Sequence, residues 1–291
     1  VAFAFINGAL LVPFPGVRDQ GRLVTLGILE RTPLGSSPPL TAMADYPDVF
    51  RALREGMSGL DDVASVTESD VAVTLPQPRS LAAAFVSPNY FAVLGVQPEI
   101  GRTFASEGGR VESAVAMIGH ALWTREFGRD PSVAGRPIQV AGQIFQIVGV
   151  APQGFRGTSQ SPTHTGVELW LPIDLVDRVG DPLSFGRGDI VLLNDRPGER
   201  LIRYVGRMRD GVRVDRVETE LAVIAERVVT PAGATTPVIA EVSSLSRLND
   251  RTNAGQIVAI IVSIPLLVLA IACVNAANRF LVRASRRRRE V

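Results

Sequence analysis

From Thr252 to Asn278 no residue carries a charge, and Arg283 and Arg286-Arg287-Arg288-Arg289 follow. Nothing else in the chain constrains its fold as strongly. A helix of roughly 25 apolar residues is long enough to cross the ~30 Å hydrocarbon layer of a membrane. An Arg cluster at one end marks that end as cytoplasmic. A helix apolar all round is either a core helix or a membrane span; core helices usually show a polar face, and Ile257 to Ala272 has almost none. The sequence therefore predicts a transmembrane helix over 251–282 and a cytoplasmic basic segment over 283–291. Val1 to Val17 is also uncharged and ends at Pro13 and Pro15. With neither an initiating Met nor a basic stretch before the apolar run, a signal peptide is not the natural reading. Residues 1–17 are expected to be the end of a first transmembrane helix, truncated at its start. Residues 18–250 would then form a large domain outside the bacterial inner membrane, on its periplasmic or extracellular side.

Composition narrows what that domain can do. A net charge of +1 provides no basic stripe for nucleic acid. Cys273 is the only cysteine and lies in the apolar run, so no intrachain disulfide or cysteine-based metal site is available. All thirty basic residues are Arg. A P-loop requires Lys to reach the β- and γ-phosphates, so the chain cannot hydrolyse ATP by that route. Schiff-base chemistry is excluded on the same ground.

The middle reads as short, mixed elements. Pro47 to Glu55 suits a short helix, with Pro in the first turn. Val71, Val73 and Leu75 alternate as in a half-buried strand. Ser87-Pro88 reads as an N-cap and first helical residue, opening a short helix to Leu94. Ala114–Ile118 suits a strand and Ala121–Phe127 a helix. Pro137–Val140 and Ile144–Val148 flank a Gly-containing turn, which is a hairpin signal. Val167–Leu171 and Ile202–Met208 read as strands, separated by a long loop over Asp177–Arg200. Val217, Leu221, Ile224 and Val228 fall at helical spacing within Asp215–Val229, and Val238–Val242 reads as a final strand.

No catalytic, cofactor or metal residues are expected. Ser58, Ser87 and Ser159 lack the setting that presents a nucleophile at a sharp turn. His120 suits a helix start and His164 a solvated loop. Asp61-Asp62 and Glu218/Glu220 read as solvated faces, Gly154-Phe155-Arg156-Gly157 as a tight turn, and Trp123 and Trp170 as packing residues. In the second membrane helix Pro265 is placed to kink the chain. Ala272 and Ala276, four apart, permit close helix approach, with Asn275 and Asn278 able to bond across helices or to reach the interface. Arg283 and Arg286–Arg289 set topology and contact anionic lipid.

The order of motifs from Val86-Ser87-Pro88-Asn89-Tyr90-Phe91 through Gly101-Arg102-Thr103-Phe104, Leu122-Trp123, Asp130-Pro131, Gly135-Arg136, Val148-Gly149-Val150-Ala151-Pro152 to Gly154-Phe155-Arg156-Gly157 resembles the periplasmic core domain of MacB-like ABC transporter permeases. Leu269–Asn278 and the Arg run resemble the second transmembrane helix of FtsX-like permease domains. The resemblance thins over Asp177–Arg200. It implies an α+β fold, a two-lobed extracytoplasmic mixed α/β domain flanked by transmembrane helices. The membrane-proximal lobe would be about 18–69 plus 201–245, and an inserted distal lobe about 70–200. It also implies a fragment of a longer permease that needs a separate ABC ATPase, in a homodimer or pseudo-dimer with lipid and periplasmic contacts, for substrate export or extraction. The alternative is a non-transporting FtsX-like protein that regulates an extracytoplasmic partner such as a cell-wall hydrolase.

Overall fold

The computed structural model describes residues 14–30, 46–75, 77–104, 106–107, 110–111, 114–158, 166–180, 202–229 and 238–245. The segment expected as a second membrane helix, all but Phe14–Val17 of the segment expected as the end of the first, and Ser159, His164 and Cys273 lie outside these residues. Among the described residues no helix is long and apolar enough to cross a membrane. In chain order the elements are β1 (Leu23–Glu30), α1 (Tyr46–Gly56), β2 (Leu60–Thr74), β3 (Pro78–Val86), α2 (Tyr90–Leu94), β4 (Ile100–Gly101), β5 (Val115–Ile118) and α3 (His120–Phe127). There follow β6 (Pro137–Val140), β7 (Gln143–Val150), β8 (Leu169–Pro172), α4 (Val176–Val179), β9 (Arg203–Met208), α5 (Val214–Val229) and β10 (Val238–Ser244).

The sheet runs β10-β1-β9-β2-β3-β8-β5-β7-β4, and β6 pairs with both β2 and β7. That double pairing closes β2-β3-β8-β5-β7-β6 into a six-stranded barrel. The remaining strands form an open antiparallel sheet in the order β10-β1-β9-β2. With α1 between β1 and β2 and α5 between β9 and β10, this is a split βαβ arrangement of the ferredoxin-like kind. The barrel is inserted between its second and third strands.

Each part has its own core, and sequence periodicity sets it. In the open sheet Val24, Leu26 and Ile28 alternate along β1 and meet Val49 and Leu53 of α1 and Val217, Leu221 and Ile224 of α5. The α5 stripe is the 3.6-residue pattern of an amphipathic helix. In the barrel, Val71 and Val73, Leu81, Ala83 and Phe85, Ile138 and Val140, and Leu169 and Leu171 alternate into a second cluster. Alternation with period two is what fills a small barrel's interior. β2 serves both parts, and its fifteen residues extend about 50 Å at ~3.3 Å each.

The expected helices at 47–55, 121–127 and 215–229 and the hairpin at 137–148 are present as α1, α3, α5 and β6–β7. Three readings need correction. The strand expected at 71–75 is only the tail of β2. The loop expected over Asp177–Arg200 does not start at Asp177, because Val176–Val179 forms α4 with Val176 and Val179 buried, and 181–200 lie outside the described residues; β1 and β3 gave no expectation at all. Ser87 is not a helix cap: α2 starts at Tyr90, and the Ser87 hydroxyl accepts from the Ser65 N–H at 3.0 Å and donates to Asn89 Oδ1 at 2.7 Å. A buried strand amide needs a partner more than a five-residue helix needs a cap.

Candidate functional site

Phe14–Arg22, the segment that leads into β1, is fastened to both parts of the domain. The Gln20 side chain closes it on itself, accepting from the Phe14 N–H at 3.0 Å and donating to the Phe14 carbonyl at 2.7 Å. Gly16 (φ 78°) and Asp19 (φ 45°) make the reversals that this ring needs. The Arg18 N–H donates to the Leu94 carbonyl at the end of α2, at 3.1 Å. Arg207 of β9 donates to the carbonyls of Arg18 (2.8 Å) and Val93 (2.7 Å). Burial, with Arg22 nearby, lowers the pKa of Arg207 from its ordinary value. Arg22 in turn donates to the Met208 carbonyl at 2.8 Å and pairs with Asp61 at 2.6 Å and Asp210 at 3.1 Å. These contacts hold the segment to the open sheet and to α2.

The same segment also lies against the turn that leaves β7 of the barrel. A Cβ added to Gly16 would stand 2.7 Å from Pro152 Cγ, and one added to Gly154 would stand 3.1 Å from Pro15 Cβ. The Gly154–Gly157 stretch is thus a turn, as expected, and Gly154 admits Pro15 of the lead-in.

Behind this contact α2 packs on β2 and β9, and a cluster of rings joins the two parts. Phe91 stands 5.4 Å from Tyr90, 5.6 Å from Phe104 and 6.0 Å from Trp170, and Phe155 stacks on Trp170 at 5.3 Å. Edge and offset ring geometries add to the burial of aromatic area. The Tyr90 hydroxyl meets Thr158 Oγ1 at 3.2 Å, and burial raises its pKa far above the usual phenol value. Tyr90 is therefore a neutral packing residue.

Two carboxylates read as solvated are structural. Asp62 accepts from Arg54 (2.8 Å) and Asn89 (2.7 Å), tying the approach to α2 onto β2. Glu220 accepts from the Ser58 hydroxyl (2.6 Å), the Gly59 N–H (2.8 Å) and Arg216 (3.2 Å). Burial opposes its ionisation, but these donors more than offset that and lower its pKa. His120 opens α3, 3.6 Å from Glu99 and edge-on to Trp123. Trp123 and Trp170 are buried packing residues.

Among the described residues no three His, Cys, Asp or Glu side chains gather as metal ligands. Pro265, Ala272, Asn275, Ala276, Asn278, Arg283 and Arg286–Arg289 lie outside the described residues. Sequence reasoning missed Gln20, Arg22 and Arg207, because their partners are main-chain carbonyls or residues far along the chain. Pro13, Pro15 and Gly16 were the only local signal there.

The family described as MacB-like periplasmic core domain matches residues 1–224. Among solved structures, the periplasmic region of MacB from Actinobacillus actinomycetemcomitans is 13% identical with a TM-score of 0.53, covering 83% of this chain and 96% of that one. A domain assigned to a permease of Porphyromonas gingivalis is 15% identical with a TM-score of 0.51, covering 80% and 92%. At these identities the likeness is one of fold. No curated protein matches.

Proposed function

This chain belongs to the MacB-like periplasmic core domain family, the extracytoplasmic mixed α/β domains of ABC-type permeases, and from that premise we propose that it is part of a permease subunit whose outer domain is moved by ATP hydrolysis in a separate chain. The family implies the ATPase partner. The movement would serve export or extraction of a substrate across or from the bacterial inner membrane. We assign the membrane-proximal lobe to the open sheet and the distal lobe to the barrel, with Thr252–Asn278 as a membrane helix and the Arg cluster on cytoplasmic-side lipid. A pair of permeases completes the assembly, which offers a periplasmic partner the barrel end.

The observation that carries this reading is the lead-in segment. It follows directly on the apolar Val1–Pro13 stretch and touches the open sheet, α2 and the barrel turn within nine residues. A displacement of the preceding helix is therefore delivered to both parts at once. The test uses the full-length permease with its ATPase in lipid nanodiscs, carrying spin labels at Ile144→Cys and Val223→Cys in a Cys273→Ala background. Trapping with ATP and vanadate should shift the label distance. Gly16→Val, which collides with Pro152, should abolish the shift while ATP hydrolysis persists. An active complex whose labels never move refutes mechanical coupling, and leaves regulation of an outside hydrolase as the surviving role.

A further inference from the structure

One face of β2 carries both cores and a break between them. Its residues in order are Val63, Ser65, Thr67, Ser69, Val71 and Val73. Val63 belongs to the open-sheet core, and Val71 and Val73 to the barrel core. The three residues between carry hydroxyls, and their exposures are 0%, 1% and 4%, so the buried row between the apolar positions is polar. The cross-strand neighbours divide at the same place. Tyr204, opposite Ser65, is in the open-sheet core, while Phe85, opposite Thr67, and Ala83, opposite Ser69, are in the barrel core. The Thr67 hydroxyl has no hydrogen-bond partner among the described residues. The opposite face of β2 is different. Ala64 and Val66 are buried there, where α2 packs on β2 and its Phe91 leads into the ring cluster with Phe155 and Trp170.

At the joint, one face of the shared strand is closed by Ala64, Val66 and the ring cluster together with the Glu68–Arg203 ion pair at 2.9 Å, and the other is hydroxyl-lined. Parting apolar surfaces costs in proportion to the area exposed, and close-packed interiors resist shape change. Opening the hydroxyl row, flanked by Tyr204 and Phe85, exposes less apolar area than opening a continuously apolar face and lets the hydroxyls bond water. Bending is cheap in one direction only. We propose that the Ser65-Thr67-Ser69 row is a one-sided hinge, about which the barrel swings on the open sheet with the ring cluster as pivot. The hinge is a property of the fold and stands independently of the transport reading.

The experiment uses the full chain in nanodiscs without nucleotide, in the Cys273→Ala background. Labels at Ile144→Cys and Val223→Cys, both exposed, report across the joint. Labels at Glu55→Cys and Val223→Cys report within the open-sheet part. The cross-joint distance distribution should be distinctly broader than the internal one. Ser65→Ala/Thr67→Val/Ser69→Ala, which makes the face continuously apolar, should narrow it towards the internal width. Thr67→Val alone is the fallback should the triple variant not fold, and should narrow it partway, whereas Thr67→Ser keeps the hydroxyl and should retain the wild-type width. A wild-type distribution as narrow as the internal control, or an unchanged width in folded Thr67→Val, overturns the hinge. Because no ATPase is present, neither outcome bears on whether nucleotide drives the domain.

Discussion

Glu220 illustrates how a side chain's role depends on partners that the local sequence cannot name. Its position beside Glu218 suggests a solvated helix face, yet Ser58 and Gly59 reach it from more than 160 positions away. Asp62 was misread for the same reason, whereas Trp123 and Trp170 were legible because large rings are buried in most settings. The lowered pKa of Glu220 gives a signed expectation. A carboxylate depressed in the folded state contributes stability that is fully present above its unfolded value, about 4.3. That contribution is lost as pH falls through the lower folded value. Urea midpoints of the wild type and Glu220→Gln should therefore differ most at neutral pH and converge below that range. The amide variant keeps an acceptor for Ser58 and Gly59 but lacks the charge facing Arg216. A gap that widens on acidification would mean Glu220 is held neutral instead.

Elements were legible where a single period ran uninterrupted. α5 shows a clean helical stripe, and β6–β7 is marked by its turn at Ala141 (φ 46°) and Gly142 (φ 80°), both in the left-handed region that tight hairpins use. β2 was half hidden. Its inward positions change from apolar to hydroxyl and back, and Asp61-Asp62 masks its start. β3 was hidden because Ala82-Ala83-Ala84 gives no alternation. β4 was too short to see, yet it presses closest on its neighbour. A Cβ on Gly101 (φ 74°) would stand 2.2 Å from the Val148 carbonyl oxygen, and one on Gly149 would stand 2.4 Å from that of Arg102. Backbone there cannot yield without breaking the β4–β7 pairing. Gly101→Ala should destabilise the barrel by at least the ~1–3 kcal/mol of backbone strain alone. Gly142→Ala has the same φ sign but nothing within 4 Å of its Cβ, and should cost less. Chemical denaturation of the two variants checks the ordering, and equal losses would mean steric contact at β4 is unimportant.

At the scale of the whole molecule, motif order made the family legible, while the apolar run and Arg cluster lie outside the described residues. The insertion of a closed barrel into an open sheet was not legible in the residues themselves. Closure depends on two short pairings, Val73 with Val140 and Thr74 with Gln139, and no local pattern encodes a contact across more than sixty residues. That geometry predicts how the domain comes apart. Leu221 is fully buried in the open-sheet core, where Leu→Ala commonly costs about 2–5 kcal/mol and a carboxylate adds the cost of an unpaired buried charge. Leu221→Asp should unfold the open sheet. The barrel shares β2 with it, but Asp70–Thr74 stay paired with β3 and β6, and the barrel cluster includes no residue of α1, α5 or β1. Loss of the open sheet thus removes a neighbour from one edge of the barrel wall and nothing from its interior. Limited proteolysis of Leu221→Asp should leave a protected fragment running from within β2 to beyond β8. Digestion of the variant with no protected fragment would mean that β2 binds the two parts into one cooperative unit.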